Sequence, residues 1–74
     1  MKYYENMKAI RIKRGLTQTQ VASLMNISQS TYSKYENGKR MIPLNMLAKF
    51  CLIVNVSSNY ILDLPDNLRY PKNK

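Results

Sequence analysis

Between Gln29 and Asn37, side chains able to hydrogen-bond recur at a spacing that a helix would gather on one side. At about 100° per residue, Gln29, Ser30, Ser33, Lys34 and Asn37 fall on one arc. Tyr32 and Tyr35 fall on the other, with Thr31 at its edge. A polar, cationic outer face backed by aromatics suits a groove lined with base edges. The carboxamide of Gln29 carries a donor and an acceptor, the complement of adenine N6–H and N7 in the major groove. A bidentate pair of that kind is worth on the order of 1–3 kcal/mol of discrimination; the alternative is a solvated first-turn glutamine. Lys34 could reach guanine O6/N7 or a phosphate, and its flexible ammonium favours the phosphate. Ser30, Thr31 and Ser33 can donate to phosphates or bases, and the Thr31 methyl can touch a thymine methyl. Thr31 equally suits a cap or a core neighbour. Beyond Tyr35, the residues Asn37, Lys39 and Arg40 form a donor cluster suited to phosphates, although ordinary turn residues would have the same composition.

The elements that must position these groups read as five short helices. The first is expected over Tyr4 to Arg14, stopped by Gly15 as a left-handed residue past its end, with Met7, Ile10, Arg11 and Arg14 on one side. The second begins at Thr17, where T-x-x-Q with Gln20 can form a capping box. Val21, Ala22 and Met25 supply its inner face, and the small Ala22 allows close helix approach. Asn26 makes a left-handed turn, Ile27 is a buried hinge contact, and Ser28 caps the third helix, which Asn37-Gly38 ends. Pro43 is expected in the first turn of the fourth helix, whose apolar arc is Leu44, Leu47, Ala48, Phe50, Cys51 and Val54. Asn55 caps its end. Ser57 then starts a short fifth helix over Ser58 to Leu62, which Pro65 ends. Domain organisation follows as residues 1–64 for the helical unit, with the helix-turn-helix at 17–37, and residues 65–74 for a basic, frayed tail.

On the inner side, Tyr32 and Tyr35 read as packing aromatics rather than base-stacking platforms. Glu36 falls at the inner edge of its wheel and Arg11 on the inward side of the first helix, so the two suit an architectural ion pair. Cys51 reads as inert core.

Composition narrows the partners. Twelve Lys+Arg against four Asp+Glu give a net charge of +8 in 74 residues, which points to a polyanion, either nucleic acid or an anionic membrane surface. Hydrophobic residues at 45% favour a folded chain. With one cysteine and no histidine there can be no intrachain disulfide, and a structural zinc site is not expected. Nor is any cofactor. A His-dependent nucleophile is impossible, and Glu5, Glu36, Asp63 and Asp66 show no paired spacing, so an enzyme is not expected. No run approaches the ~20 apolar residues of a membrane span, and MKYYENMK lacks the apolar segment of a signal peptide. A cytoplasmic location is the expectation.

Four segments in register carry a family resemblance: G-L-T-Q-T-Q-V-A at 15–22, I-S-Q-S-T-Y-S-K-Y-E-N-G-K-R at 27–40, I-P-L-N-M-L-A-K at 42–49 and N-V-S-S-N-Y-I-L at 55–62. Together they resemble the phage-repressor/Cro-type (XRE-like) helix-turn-helix transcriptional regulators, over about residues 8–64. The resemblance implies an all-α, compact five-helix lambda-repressor-like DNA-binding domain whose third helix enters the major groove. It also implies that Gln18 contacts phosphate and braces Gln29, and that Gln29 reads a base edge, with Ser30 and Lys34 at further base- or backbone-facing positions. Asn37, Lys39 and Arg40 match the loop that grips the backbone, and Arg11 with Glu36 match an internal salt bridge. Asn26 departs from the glycine common at that turn, and the short Ser30 and Ser33 leave base readout to fewer side chains. The chain is expected to match the small members that lack a separate dimerisation or protease-like domain.

The expected function is sequence-specific binding of double-stranded DNA by a transcriptional repressor. One such module buries little surface, so a homodimer on a palindromic operator is expected. The apolar residues Met46, Leu52, Ile53, Tyr60 and Leu64, with Tyr70, are the candidate dimer interface. Two rivals stand beside this: an antitoxin-like or adaptor module whose DNA binding is secondary, and charge-driven binding of RNA or an anionic membrane.

Overall fold

Local chemistry at the helix ends accounts for most of the chain's path. The computed structural model describes residues 2–63. It contains α1 (Tyr3–Lys13), α2 (Gln18–Met25), α3 (Gln29–Glu36), α4 (Leu44–Val54) and α5 (Ser58–Leu62), with no strand among the described residues. Each helix ends on a left-handed residue: Gly15, Asn26, Gly38, Asn55 and Asp63. After α1, α2 and α3 the paired return bonds of a Schellman turn close the end. Leu16 N donates to Arg11 O, Ile27 N to Ala22 O, and Lys39 N to Lys34 O, at 2.9–3.1 Å. The starts are equally specified. Thr17 Oγ1 accepts from Gln20 N at 3.0 Å while Thr17 N donates to Gln20 Oε1 at 2.8 Å, and Ser28 and Ser57 hydroxyls accept from Thr31 N and Tyr60 N.

Packing gathers Met7, Ile10, Val21, Ala22, Met25, Tyr32, Tyr35, Ile42, Leu47, Phe50, Cys51, Val54 and Ile61 into one core. The helices α2 and α3 pack as a pair, α4 closes against α2, and α5 lies against α1 and α4. The ring of Tyr32 stacks on that of Phe50 with centroids 6.2 Å apart. Leu16 and Ile27 are half-buried against this core at the two connections. Burial raises the Cys51 thiol above its ordinary range.

Several expectations need correction. Helix α1 starts one residue earlier than the pattern suggests, because Lys2 is extended and its N–H donates to the Glu5 side chain at 3.2 Å. It also ends one residue earlier, at Lys13, with Arg14 as the cap before left-handed Gly15. Pro43 is the extended residue before α4 rather than a first-turn residue; its carbonyl accepts from Leu47 N. Leu44 and Ala48 lie on the solvent side of α4, with Leu44 80% exposed. The stripe facing α2 and α5 is narrower than the apolar arc and consists of Leu47, Phe50, Cys51 and Val54. Met46 and Ile53, expected as surplus, are half-buried and pack on the core. Asp63, left-handed, ends α5 before Pro65 is reached. Pro65, Leu64, Tyr70 and the basic tail lie outside the described residues.

Arg14 is exposed as a whole, yet its Nε donates to Val54 O at 2.7 Å and its Nη2 to Asn55 O at 3.5 Å. A cation thus meets carbonyls at the end of α4 that have no partner within the helix. Nearer the start of α1, Asn6 Nδ2 donates to Ile61 O and Tyr3 OH accepts from Ile42 N. α1 thereby clips α4, α5 and the segment after α3 into one frame.

Candidate nucleic-acid interface

The frame presents α3 with its aromatic side inward. Tyr32, Tyr35 and Glu36 are buried, while Gln29, Ser30 and Lys34 stand in solvent. Lys39 and Arg40 continue the exposed cationic edge past Gly38. Ser33 is half-buried and its hydroxyl accepts from Asn37 Nδ2 at 3.2 Å, which draws Asn37 back over the helix end. Thr31 is half-buried, its Oγ1 accepting from Ser28 Oγ at 2.9 Å, so this side chain belongs to the cap as much as to the surface.

Beneath this face lies a polar network centred on Glu36, which is 3% exposed. Its carboxylate accepts four hydrogen bonds: Arg11 Nε at 2.8 Å, Arg11 Nη2 at 3.0 Å, Gln18 Nε2 at 3.0 Å, and the Tyr32 hydroxyl. Arg11 also donates Nη1 to Leu16 O at 2.8 Å, anchoring the turn into α2. A buried charge is tolerated only when it is paired and its lone pairs are filled, and here both conditions hold. Burial pushes the Glu36 carboxyl up, but the bonds from Arg11, Tyr32 and Gln18 together outweigh it and hold the group below the usual carboxylate range. The hydrogen bond to Glu36 raises Arg11 further, and burial beside the carboxylate raises the Tyr32 phenol well above its ordinary value.

From Glu36 the network runs outward. Gln18 is half-buried; with its Nε2 on Glu36, its Oε1 accepts from Gln29 Nε2 at 2.7 Å. The outermost reader candidate is therefore tied through one side chain to a buried carboxylate. Sequence reasoning paired Arg11 with Glu36 and Gln18 with Gln29. It missed the Gln18–Glu36 bond and the Tyr32 hydroxyl, which join the two pairs into one network. The i, i+4 spacing of Tyr32 and Glu36 was the available signal for the second.

Of the candidate interface residues on α4 and α5, Leu52 and Tyr60 are exposed, Met46 and Ile53 are core-packed, and Leu64 is outside the described residues. Met41, Leu44 and Leu62 are further exposed apolar residues, lining with Tyr3, Ile42 and Leu47 a groove of about 460 Å³. Among the described residues no helix is long and apolar enough to cross a membrane.

Comparison with known proteins gives the family. The helix-turn-helix family model matches residues 7–61. The SPbeta prophage-derived uncharacterized HTH-type transcriptional regulator YonR of Bacillus subtilis (strain 168) is 34% identical over 58 residues, covering 78% of this chain and 54% of that protein. The uncharacterized HTH-type transcriptional regulator YobD of the same organism is 32% identical over 65 residues, covering 88% and 58%. Antitoxin PezA of Streptococcus pneumoniae serotype 4 (strain ATCC BAA-334 / TIGR4) is 34% identical over 53 residues, covering 72% and 34%. The chain thus spans a little over half the length of the two regulators and a third of the antitoxin. With the family model matching most of the chain and the two turn-linked helices braced as described, this protein belongs to the phage-repressor/Cro-type (XRE-like) helix-turn-helix family of DNA-binding transcriptional regulators.

Proposed function

We propose that this chain is a sequence-specific repressor that reads the major groove of a palindromic operator as a homodimer. Gln29, Ser30 and Lys34 are the base-facing groups, with Ser33 at their inner edge. Gln18, Thr31, Asn37, Lys39 and Arg40 hold the phosphates that set register and orientation. The observation that carries this reading is Gln29. It is exposed at the start of α3 yet held by Gln18 at 2.7 Å, so its amide is oriented before any base arrives. The bond uses one Nε2 hydrogen, leaving an N–H and a carbonyl for adenine N7 and N6–H.

A second copy would place another α3 about one helical turn of DNA away, roughly 34–36 Å, on a two-fold site. Leu52 and Tyr60, with Met41, Leu44 and Leu62, are the apolar surface available for that contact. The same exposed surface, together with the antitoxin relative, supports a second reading in which α4 and α5 hold a protein partner and DNA binding serves that complex.

In-vitro selection from random duplexes at near-physiological salt tests the first reading. The expected winner is palindromic, and Gln29→Ala relaxes the choice at one base pair per half-site. Enrichment of no sequence, with binding lost in step with salt, would leave only charge-driven association. A Gln29→Ala protein that selects the same sites as the parent would remove Gln29 from the reading.

A further inference from the structure

We infer that Glu36, which is buried and out of reach of DNA, is a positioning residue that dictates which base Gln29 prefers. This inference rests on the operator reading above and adds to it the origin of the reader's polarity.

The geometry is a relay of two amides ending on a carboxylate. A carboxylate has no hydrogen to give, so the Gln18 amide must turn its Nε2 inward to Glu36 Oε1. Arg11 and Tyr32 can only reinforce this order, since Arg11 is a pure donor and the Tyr32 hydroxyl already spends its hydrogen on Glu36 Oε2. With one Nε2 hydrogen on Glu36, Gln18 must turn Oε1 toward Gln29, and its second Nε2 hydrogen is the donor left for a phosphate. Gln29 must then meet it with Nε2. What remains free at the tip of Gln29 is one N–H beside one carbonyl oxygen, and that pattern matches adenine rather than guanine, whose O6 and N7 both accept.

An unbraced glutamine could rotate its amide by half a turn and offer both nitrogen hydrogens instead. The buried charge removes that freedom without touching the nucleic acid. The relay also predicts how the preference can be inverted. Lysine at position 18 has three donors and no acceptor. Set between Glu36 and Gln29, it would still satisfy the carboxylate but would compel Gln29 to turn its oxygen inward. The Gln29 NH₂ would then face the groove with two donors, the complement of guanine.

The test is parallel in-vitro selection with the parent protein, Gln29→Ala, Gln18→Lys and Glu36→Gln, each first checked for a cooperative melt. The relevant base pair is the one whose preference disappears in Gln29→Ala. There the parent is expected to choose adenine and Gln18→Lys to choose guanine. Glu36→Gln, which lets the inner amide face either way, is expected to lower the adenine preference roughly three- to tenfold, the scale of one hydrogen bond. If Glu36→Gln does not fold, Gln18→Lys decides alone. A folded Gln18→Lys that chooses anything but guanine there overturns the relay. So does a folded Glu36→Gln that keeps the parent's adenine preference within twofold, or a parent that chooses a base other than adenine there, and all three outcomes leave operator reading intact. A parent with no preference at any base pair overturns operator reading, and the relay with it.

Discussion

The ring of Tyr4 lies over Gly38 so closely that a Cβ on that glycine would stand 2.5 Å from the ring's Cζ and 2.6 Å from its Cε2. Gly38 is also left-handed, with φ at +73°. The turn that ends α3 and launches Lys39 and Arg40 is therefore clamped from α1, both by this contact and by the Tyr3–Ile42 hydrogen bond. Gly38→Ala should cost about 1–2 kcal/mol for the backbone alone, with a further loss from displacing the Tyr4 ring. Urea denaturation of Gly38→Ala with and without Tyr4→Ala checks this: the two changes together should cost less than the sum of their separate effects.

Asn26 offers the opposite case. Its φ of 62° is one that glycine adopts freely and that asparagine tolerates best among residues with a side chain. Asn26→Gly should change stability by under about 1 kcal/mol, toward the stable side, because relief at the turn is offset by greater freedom of the unfolded chain. A melt of this variant that fell by many degrees would show that the Asn26 side chain contributes to the turn.

Acid should find the Glu36 network. The folded carboxyl lies below its ordinary value of 4.5, so the unfolded chain binds the proton more readily and stability rises with pH through that window. The contribution is complete above about pH 5 and is lost as the pH falls through the folded value. Denaturant midpoints measured between pH 3 and 7 should drop on the acid side in the parent. In Glu36→Gln the midpoint should start lower and show a shallower acid drop.

Tyr32→Phe removes one of the four donors to Glu36 while keeping the stack on Phe50. Hydrogen bonds to a charged group contribute about 1.5–3 kcal/mol, so a loss in that range is expected at pH 7. The Glu36 carboxyl should rise toward its ordinary value, measurable by NMR titration of its side-chain carbonyl. An unchanged melting temperature would mean that the hydroxyl contributes nothing net.

On DNA, Lys39→Ala should weaken every duplex alike and lower the magnitude of the slope of log K against log salt by about one, the signature of a lost phosphate contact. Fluorescence anisotropy on a selected site and a scrambled site, over a salt series, separates this from loss of base readout. A change confined to the selected site would contradict the phosphate role.

Local chemistry decided most of the architecture: Thr17 with Gln20, Ser28, Ser57 and the left-handed Gly15, Asn26 and Asn55 act on backbone groups within a few residues, so their effect is legible without knowing the fold. The alternation of polar and aromatic residues over 29–37 likewise determined which side of α3 faces inward. Tertiary structure decided what depends on distances between elements. It made Leu44 solvent-exposed and Met46 half-buried, because the width of the stripe α4 buries is set by α2 and α5, not by its own pattern. It also turned two expected pairs into one network. Whether Gln18 reaches Glu36 depends on how closely α2 and α3 pack around Ala22 and Ile27, and no spacing along the chain encodes that separation directly.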